Sequence, residues 1–267
     1  MTLIELIRTD SRAGDGLQLA MLPVVKGLIA RRVLLNFRAD PEIVQKLLPK
    51  PFVAQTHHGF AIVGICLIRL EQLRPKGLPA QFGIASENMA HRVAVLYPAN
   101  GEMKPGVFIW RRETDQKLVQ KFGGRLFPGV HHAARFSVRD SDDAITMDVK
   151  SCDGESDVSF SASSALKWQS PSVFANLEQA SEFFRQGDCG FSCTLNGDAV
   201  EGMQLRTLQW SLTPLTVQLE NSSFYFNLSR FPAGSIDFDC GLIMRRVPHE
   251  WHEIHEAPEM EPASILS

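Results

Sequence analysis

The sequence predicts an α+β protein that is mainly β and folds as a single domain around an antiparallel β-barrel with a few external helices. The chain has 267 residues, 44% of them apolar and 21% charged, which is the composition of an ordinary globular domain. Many short segments rich in β-branched and aromatic residues are separated by turn residues, whereas only two or three segments have a helical pattern. We expect one domain over residues 1–267, with its core at about 30–250.

The first half of the chain contains four predicted strands and one short helix. Asp40 fits the N-cap of this helix and Pro41 its first turn. Pro49 is expected to end the helix after Leu48. One or two further helical turns are expected at 115–122. The four strands are 32–38, 60–70, 87–97 and 106–114.

The segment HHAARFSVRD (131–140) alternates between apolar and polar residues as a half-buried strand does. The mostly apolar face consists of His132, Ala134, Phe136 and Val138. We therefore expect His132 to point inward and His131 to point outward. Adjacent residues of a strand cannot both reach one interior site.

The rest of the chain predicts one good helix among further strands. Residues 144–152 and 157–166 are typical of a hairpin. The helix covers 176–187, where Asn176 is the N-cap and Gln179 occupies the capping-box position. The remaining predicted strands are 202–212, 215–220, 222–228 and 235–247.

Charge and cysteine content exclude several classes of protein. The formal net charge is −3 and no basic block stands out, so we expect neither nucleic acid nor a membrane surface as a partner. Five cysteines in a chain this long do not fit a disulfide framework. The N-terminus lacks the pattern of a signal peptide, and the apolar segment 19–30 is too short to span a membrane. A cytoplasmic protein is expected.

Two motifs suggest a metal site but lack the necessary spacing. HEWHEIHE (249–256) does not place two histidines four residues apart around the His-Glu pair, as the zinc-hydrolase helix requires. We interpret it as a solvated terminal turn. CGFSC (189–193) has three residues between its cysteines and no second pair to complete a tetrahedral site. We predict no metal and no cofactor.

Glu87 and His91 attract attention as a polar pair within a predicted strand. Together with Met89 they fall on one face, so a carboxylate and an imidazole could share a pocket. The alternative is that both lie on a solvated edge. The pattern alone leaves these two interpretations open.

Three segments together resemble the acetoacetate decarboxylase-like superfamily. FRADPEIVQKLLPKPF (37–52) is similar to the opening motif of that family, SEN (86–88) to its active-site segment, and GRLFPGVHHAARF (124–136) to its G-R-E…P-K-K-L stretch. More closely, ENMAHRV (87–93) and PGVFIW (105–110) resemble the uncharacterised bacterial YqjF-like branch.

The resemblance implies a cone-shaped, mainly antiparallel barrel with a central pocket. In the decarboxylases, the first lysine of the P-K-K stretch forms a Schiff base with the substrate. Aligned without gaps, that position falls on His132 and the neighbouring lysine on Ala133. Lys117 and Lys121 lie upstream and do not match. Because histidine cannot form a stable iminium with a ketone, decarboxylation by this mechanism is not expected.

The resemblance also implies a set of pocket residues. Glu87 matches the family's pocket glutamate, and Arg31 or Arg32 its pocket arginine. His91 and Phe136 are expected to complete the ligand site with His132. The resemblance further implies a homo-oligomer, although no sequence feature marks an interface.

Two functions follow from this pocket. The first is a binding protein for a small organic acid or keto compound. The alternative is an acid–base enzyme acting on a small oxo- or hydroxy-acid, with His132 and Glu87 as the catalytic residues. A metal-dependent enzyme, which would need His91, His132 and Glu87 to converge, is a third possibility.

Overall fold

The computed structural model of the protein describes residues 24–116, 129–168, 171–254 and 257–260. These residues form two α-helices and thirteen strands. The helices are α1 (Pro41–Lys46) and α2 (Leu177–Gln186). The strands are β1 (Val25–Ala39), β2 (Val53–Ala54), β3 (Thr56–His57), β4 (Phe60–Pro75), β5 (Ile84–Ala99), β6 (Glu102–Thr114), β7 (His131–Asp140), β8 (Ala144–Ser151), β9 (Val158–Ser164), β10 (Cys189–Cys193), β11 (Val200–Thr207), β12 (Thr213–Ser222) and β13 (Ile236–Glu253).

The strands close into two rings that share a wall. One ring runs β6-β7-β8-β9-β12-β13-β1-β4-β5 and closes where β5 pairs with β6. The other runs β6-β10-β11-β13-β1-β4-β5 and closes because β11 also pairs with β13. We call these the nine-stranded ring and the seven-stranded ring. Most pairs are antiparallel, and β6 pairs in parallel with both β7 and β10.

The shared wall, β13-β1-β4-β5-β6, is buried on both faces. On β4, Ile65 and Leu67 pack into the core of the nine-stranded ring. Cys66 and Leu70, which alternate with them, belong to a second apolar cluster on the opposite face. A strand covered on both sides needs apolar residues at successive positions. This explains why 60–70 is almost continuously apolar.

Helix α2 packs on the seven-stranded side of the wall. The Asn176 side chain accepts a 2.8 Å hydrogen bond from the backbone N–H of Gln179, whose own side chain accepts one from the N–H of Ala175. These bonds satisfy donors that a helix start leaves unpaired. The helix buries Ala180 and Phe184 in the second apolar cluster.

Most predicted elements are confirmed, including the mainly β fold, the 144–166 hairpin and the 176–187 helix. The first helix does begin at Pro41 with Asp40 as its cap, although it ends at Lys46 and not at Leu48. The helical turns predicted at 115–122 lie almost wholly outside the described residues.

Two predicted elements were wrong. Strand β12 ends at Ser222, and residues 223–228 form turns in place of the predicted 222–228 strand, with Phe226 N donating to the carbonyl of Ser222 at 2.8 Å. Phe224 and Tyr225 are both buried there, which two neighbours in a strand with one buried face cannot be. HEWHE (249–253) is the end of β13 rather than a solvated turn, because it pairs with both β1 and β11.

In the described part of the chain, no helix is long and apolar enough to cross a membrane. The cytoplasmic location and the single domain over 1–267 stay predictions.

Candidate functional site

The interior of the seven-stranded ring contains a cavity of about 150 Å³. Every strand of that ring contributes to its lining. One part of the wall is apolar and includes Ile68, Leu70, Val107, Ile109, Leu205 and Trp251. A concave, mostly apolar site with a few polar groups is the usual form of a small-molecule pocket.

Three arginines on three strands of the shared wall line this cavity: Arg32 on β1, Arg92 on β5 and Arg112 on β6. Among the described residues, none of them has a carboxylate oxygen within 4 Å. Arg92 donates from Nη2 to Oδ1 of Asn36 at 2.7 Å, and its Nε has no partner in the described structure. Arg112 donates from Nε to Oγ of Ser192 at 3.2 Å.

Arg92 is buried and Arg112 is partly buried, and removing a guanidinium from water is energetically unfavourable without an anion. Burial lowers the pKa of Arg112 to about 10, and it also lowers the pKa of Arg92. A buried charge that has only neutral hydrogen-bond partners keeps most of its desolvation cost. The cavity is therefore arranged to receive negative charge.

Two acidic residues also line the cavity, and each has a polar partner other than the three arginines. Glu113 lies 2.5 Å from Nε of Arg111, and burial raises the pKa of Glu113 to about 7 despite that contact. Asp188 accepts a 2.9 Å hydrogen bond from Nε2 of Gln204. His131 also lines the cavity, and burial lowers its pKa to about 3, so it is neutral near pH 7.

Arg31 and Glu87 meet on the opposite face of the wall, inside the nine-stranded ring. Arg31 Nη2 lies 2.6 Å from Glu87 Oε2, and its Nη1 lies 3.1 Å from Asp140 Oδ2. Burial raises the pKa of Glu87, while Arg31 and Arg69 act in the other direction. Adjacent residues of β1 therefore face different rings. Arg31 pairs with the carboxylates of Glu87 and Asp140 in the nine-stranded ring, and Arg32 lines the cavity of the seven-stranded ring.

His91 and Phe136 lie in the packed interior of the nine-stranded ring and do not line the cavity. His91 Nε2 is 2.6 Å from Oγ of Ser156, and its ring stacks on Phe224 at 4.3 Å. Burial lowers the pKa of His91 to about 3. Phe136 packs against the core of the nine-stranded ring. The solvated-edge interpretation of Glu87 and His91 was therefore wrong, since they are 8% and 0% exposed.

The predicted orientation of the histidine pair was wrong: His131 lines the cavity and His132 does not. His132 is instead 36% exposed, with Nδ1 3.5 Å from Oδ2 of Asp153. The parallel pairing of β6 with β7 sets Arg112 beside His131, and paired residues lie on the same face. The prediction assumed a barrel with a single interior, whereas β6 belongs to both the nine-stranded and the seven-stranded ring.

Sequence reasoning missed Arg92 and Arg112. Alternation along 87–97 places Arg92 on the face opposite Val93, and the same argument applied to β6 identifies Arg112. The prediction placed the polar pocket residues on one face of the strand only, the face of Glu87 and His91. Among the residues that the structure describes, no group of three or more histidine, cysteine or acidic side chains could hold a metal ion.

The fold is that of the acetoacetate decarboxylase-like proteins. The chain matches a crystal structure of acetoacetate decarboxylase from Legionella pneumophila with a TM-score of 0.56 and 15% identity, covering 98% of this chain and 97% of that one. It matches an acetoacetate decarboxylase-like enzyme from Sphingomonas wittichii RW1 with a TM-score of 0.56 and 11% identity, covering 92% and 97%. The enduracididine biosynthesis enzyme MppR matches with a TM-score of 0.56 and 9% identity, covering 90% and 89%.

Residues 29–227 match the DUF2071 family of uncharacterized conserved proteins, and the chain belongs to that family. The resemblance to the YqjF-like branch is thereby confirmed. No curated protein matches the chain in sequence.

Proposed function

We propose that this protein binds a small organic acid in the cavity of the seven-stranded ring. The observation that carries the proposal is the set of three arginines that line it without a carboxylate partner in the described residues. Guanidinium groups form paired, charge-assisted hydrogen bonds with carboxylates. The apolar wall would hold the hydrocarbon part of the acid.

A solved structure with the same fold is described with a ligand of this class. One structure of MppR is described as complexed with pyruvate, a small keto acid, and it matches this chain with a TM-score of 0.54 at 9% identity. At this level of identity the likeness shows the fold alone, so the ligand is argued from the cavity itself.

We also propose that the protein is not a Schiff-base decarboxylase. None of the described lining residues is a lysine. A guanidinium group is not a primary amine, so the arginines cannot take the place of the Schiff-base lysine. Lys117 and Lys121 lie outside the described residues.

The alternative function is acid–base catalysis by Glu87 and His132. Neither residue lines the cavity, and in the described structure no contact joins them. The catalytic role stays a prediction: His132→Ala should abolish turnover of any substrate that is found, whereas His131→Ala should not. Equal activity in the His132→Ala protein would remove this alternative.

Calorimetric titration with pyruvate and with its uncharged amide, pyruvamide, tests the binding proposal. We expect pyruvate to bind and pyruvamide to bind at least tenfold more weakly, because the amide lacks the charge that the arginines recognise. Increasing the concentration of NaCl should weaken the pyruvate interaction only modestly, since a buried pair is screened less than a surface pair. Equal affinity for both compounds, or binding of neither, would contradict the proposal.

A further inference from the structure

The cavity also contains a thiol. Of the five cysteines, Cys66 lines the cavity, and Arg32 donates its Nε–H to the sulfur at 3.3 Å. Arg92 and Arg112 lie close enough to Cys66 to interact with it electrostatically. Reactive cysteines occur in electropositive surroundings of this kind, because the anionic sulfur is the nucleophile.

A second observation is an unsatisfied hydrogen-bond donor on a buried residue that lines the cavity. Arg92 is 4% exposed and lines the cavity, yet its Nε has no hydrogen-bond partner in the described structure. A buried donor without an acceptor costs free energy. An acceptor that binds beside Arg92 would remove this cost, and it would lie in the same cavity as the sulfur of Cys66.

We propose that Cys66 is the nucleophile of this site and adds reversibly to the carbonyl carbon of a bound 2-oxo acid. The inference rests on the proposed binding of a small acid in the same cavity. The arginines would orient the carboxylate, and Cys66 would take the place that a lysine has in Schiff-base chemistry.

The addition needs no reactant other than the thiol and the 2-oxo acid. The sulfur forms a bond to the carbonyl carbon, and the π electron pair of the C=O bond moves to oxygen. The S–H proton ends on that oxygen, which gives a hemithioketal. A guanidinium N–H directed at the oxygen would stabilise the negative charge that develops there.

The other cysteines provide internal controls. Cys152 is exposed. Cys189 is buried, and burial raises the pKa of its thiol to about 11. Neither lines the cavity. A thiol reagent that reacts only by exposure should therefore modify Cys152 first.

The first test compares alkylation by iodoacetate and by iodoacetamide, with peptide mass mapping after short exposures. The anionic reagent should modify Cys66 at least tenfold faster than the neutral one, whereas Cys152 should show no preference for the anion. Pyruvate should slow the reaction at Cys66 only. A preference for iodoacetamide at Cys66, or no reaction there while Cys152 is fully modified, would overturn the nucleophile.

The second test is carbon NMR of the full chain with pyruvate labelled with ¹³C at the keto carbon. The wild-type protein should give a new sp³ carbon resonance in stoichiometric amount, and Cys66→Ser and Cys66→Ala should lack it. Calorimetry on the same samples separates the two claims. If pyruvate binds to all three proteins and none gives the new resonance, the nucleophile is overturned and the binding proposal stands. If pyruvate binds to none of the three proteins, both proposals are overturned.

Discussion

Replacing Arg112 by methionine should stabilise the free protein while weakening its affinity for an acid. The Arg112 guanidinium is partly buried beside the cavity, and its hydrogen bond goes to a neutral hydroxyl, that of Ser192. The carboxylate of Glu201 acts on it electrostatically without forming a close ion pair. Replacing a poorly compensated buried ion by an apolar side chain of similar length is neutral or stabilising. We expect a gain of about 1 kcal/mol, which corresponds to roughly 2–4 °C in Tm for a protein of this size.

The affinity for pyruvate should change in the opposite direction. A hydrogen bond to a charged group contributes about 1.5–3 kcal/mol, so its loss should raise Kd roughly 10- to 100-fold. Urea denaturation and calorimetric titration of the same protein measure the two effects separately.

Arg111→Met is the matched control for this prediction. Arg111 is the neighbouring residue, but it lies 2.5 Å from Glu113 and 2.6 Å from Asp153. Its removal leaves the buried carboxyl of Glu113 without its cation, so we expect a loss of about 3–5 kcal/mol. If Arg112→Met is destabilised as strongly as Arg111→Met, or binds pyruvate as tightly as the wild type, then the reasoning about unpaired arginines is refuted.

Three further predictions concern stability. Burial lowers the pKa of His249 to about 4. Between pH 6.5 and pH 4 the imidazole is therefore protonated in the unfolded chain but neutral in the folded protein. The free energy of unfolding should fall as the pH drops through this range. His249→Phe should remove about 2 kcal/mol of the loss between pH 7 and pH 5, measured by urea denaturation, and an unchanged pH profile would contradict this. Gly64→Ala should lower the free energy of unfolding by about 1–3 kcal/mol, because the new Cβ would lie 2.6 Å from the carbonyl oxygen of Leu35. Gly190→Ala is the control: its Cβ would have its nearest atom at 3.6 Å, so the loss should be less than about 1 kcal/mol. Equal losses in the two variants would show that the close contact is not the cause. Asn176→Ala should lower the free energy of unfolding by about 1 kcal/mol through loss of the helix cap, and Asn176→Asp should restore it.

The elements of the fold could be predicted because local patterns determine them. Asp40 and Pro41 start a helix through capping and a fixed φ angle, which depend on adjacent residues. The turns at 223–228 were missed because Phe224 and Tyr225 are residue types that favour strands. Their joint burial depends on a core that is assembled from distant strands.

The site could be predicted only in part, since its geometry depends on two rings with a common wall. The sequence identified Glu87 and Arg31, which contact each other, but it could not show that Arg32 faces a different interior. That distinction follows from the β11–β13 pairing, which closes the seven-stranded ring across about 50 residues of sequence. The same closure explains why His131, and not His132, reaches the cavity.

A crystal structure of the protein grown with saturating pyruvate tests the central claim most directly. We predict the acid in the seven-stranded ring, with its carboxylate oxygens within about 3.2 Å of guanidinium nitrogens from at least two of Arg32, Arg92 and Arg112. Pyruvate bound beside Arg31 and Glu87 in the nine-stranded ring, or a cavity that stays without it at saturating concentration, would contradict the account.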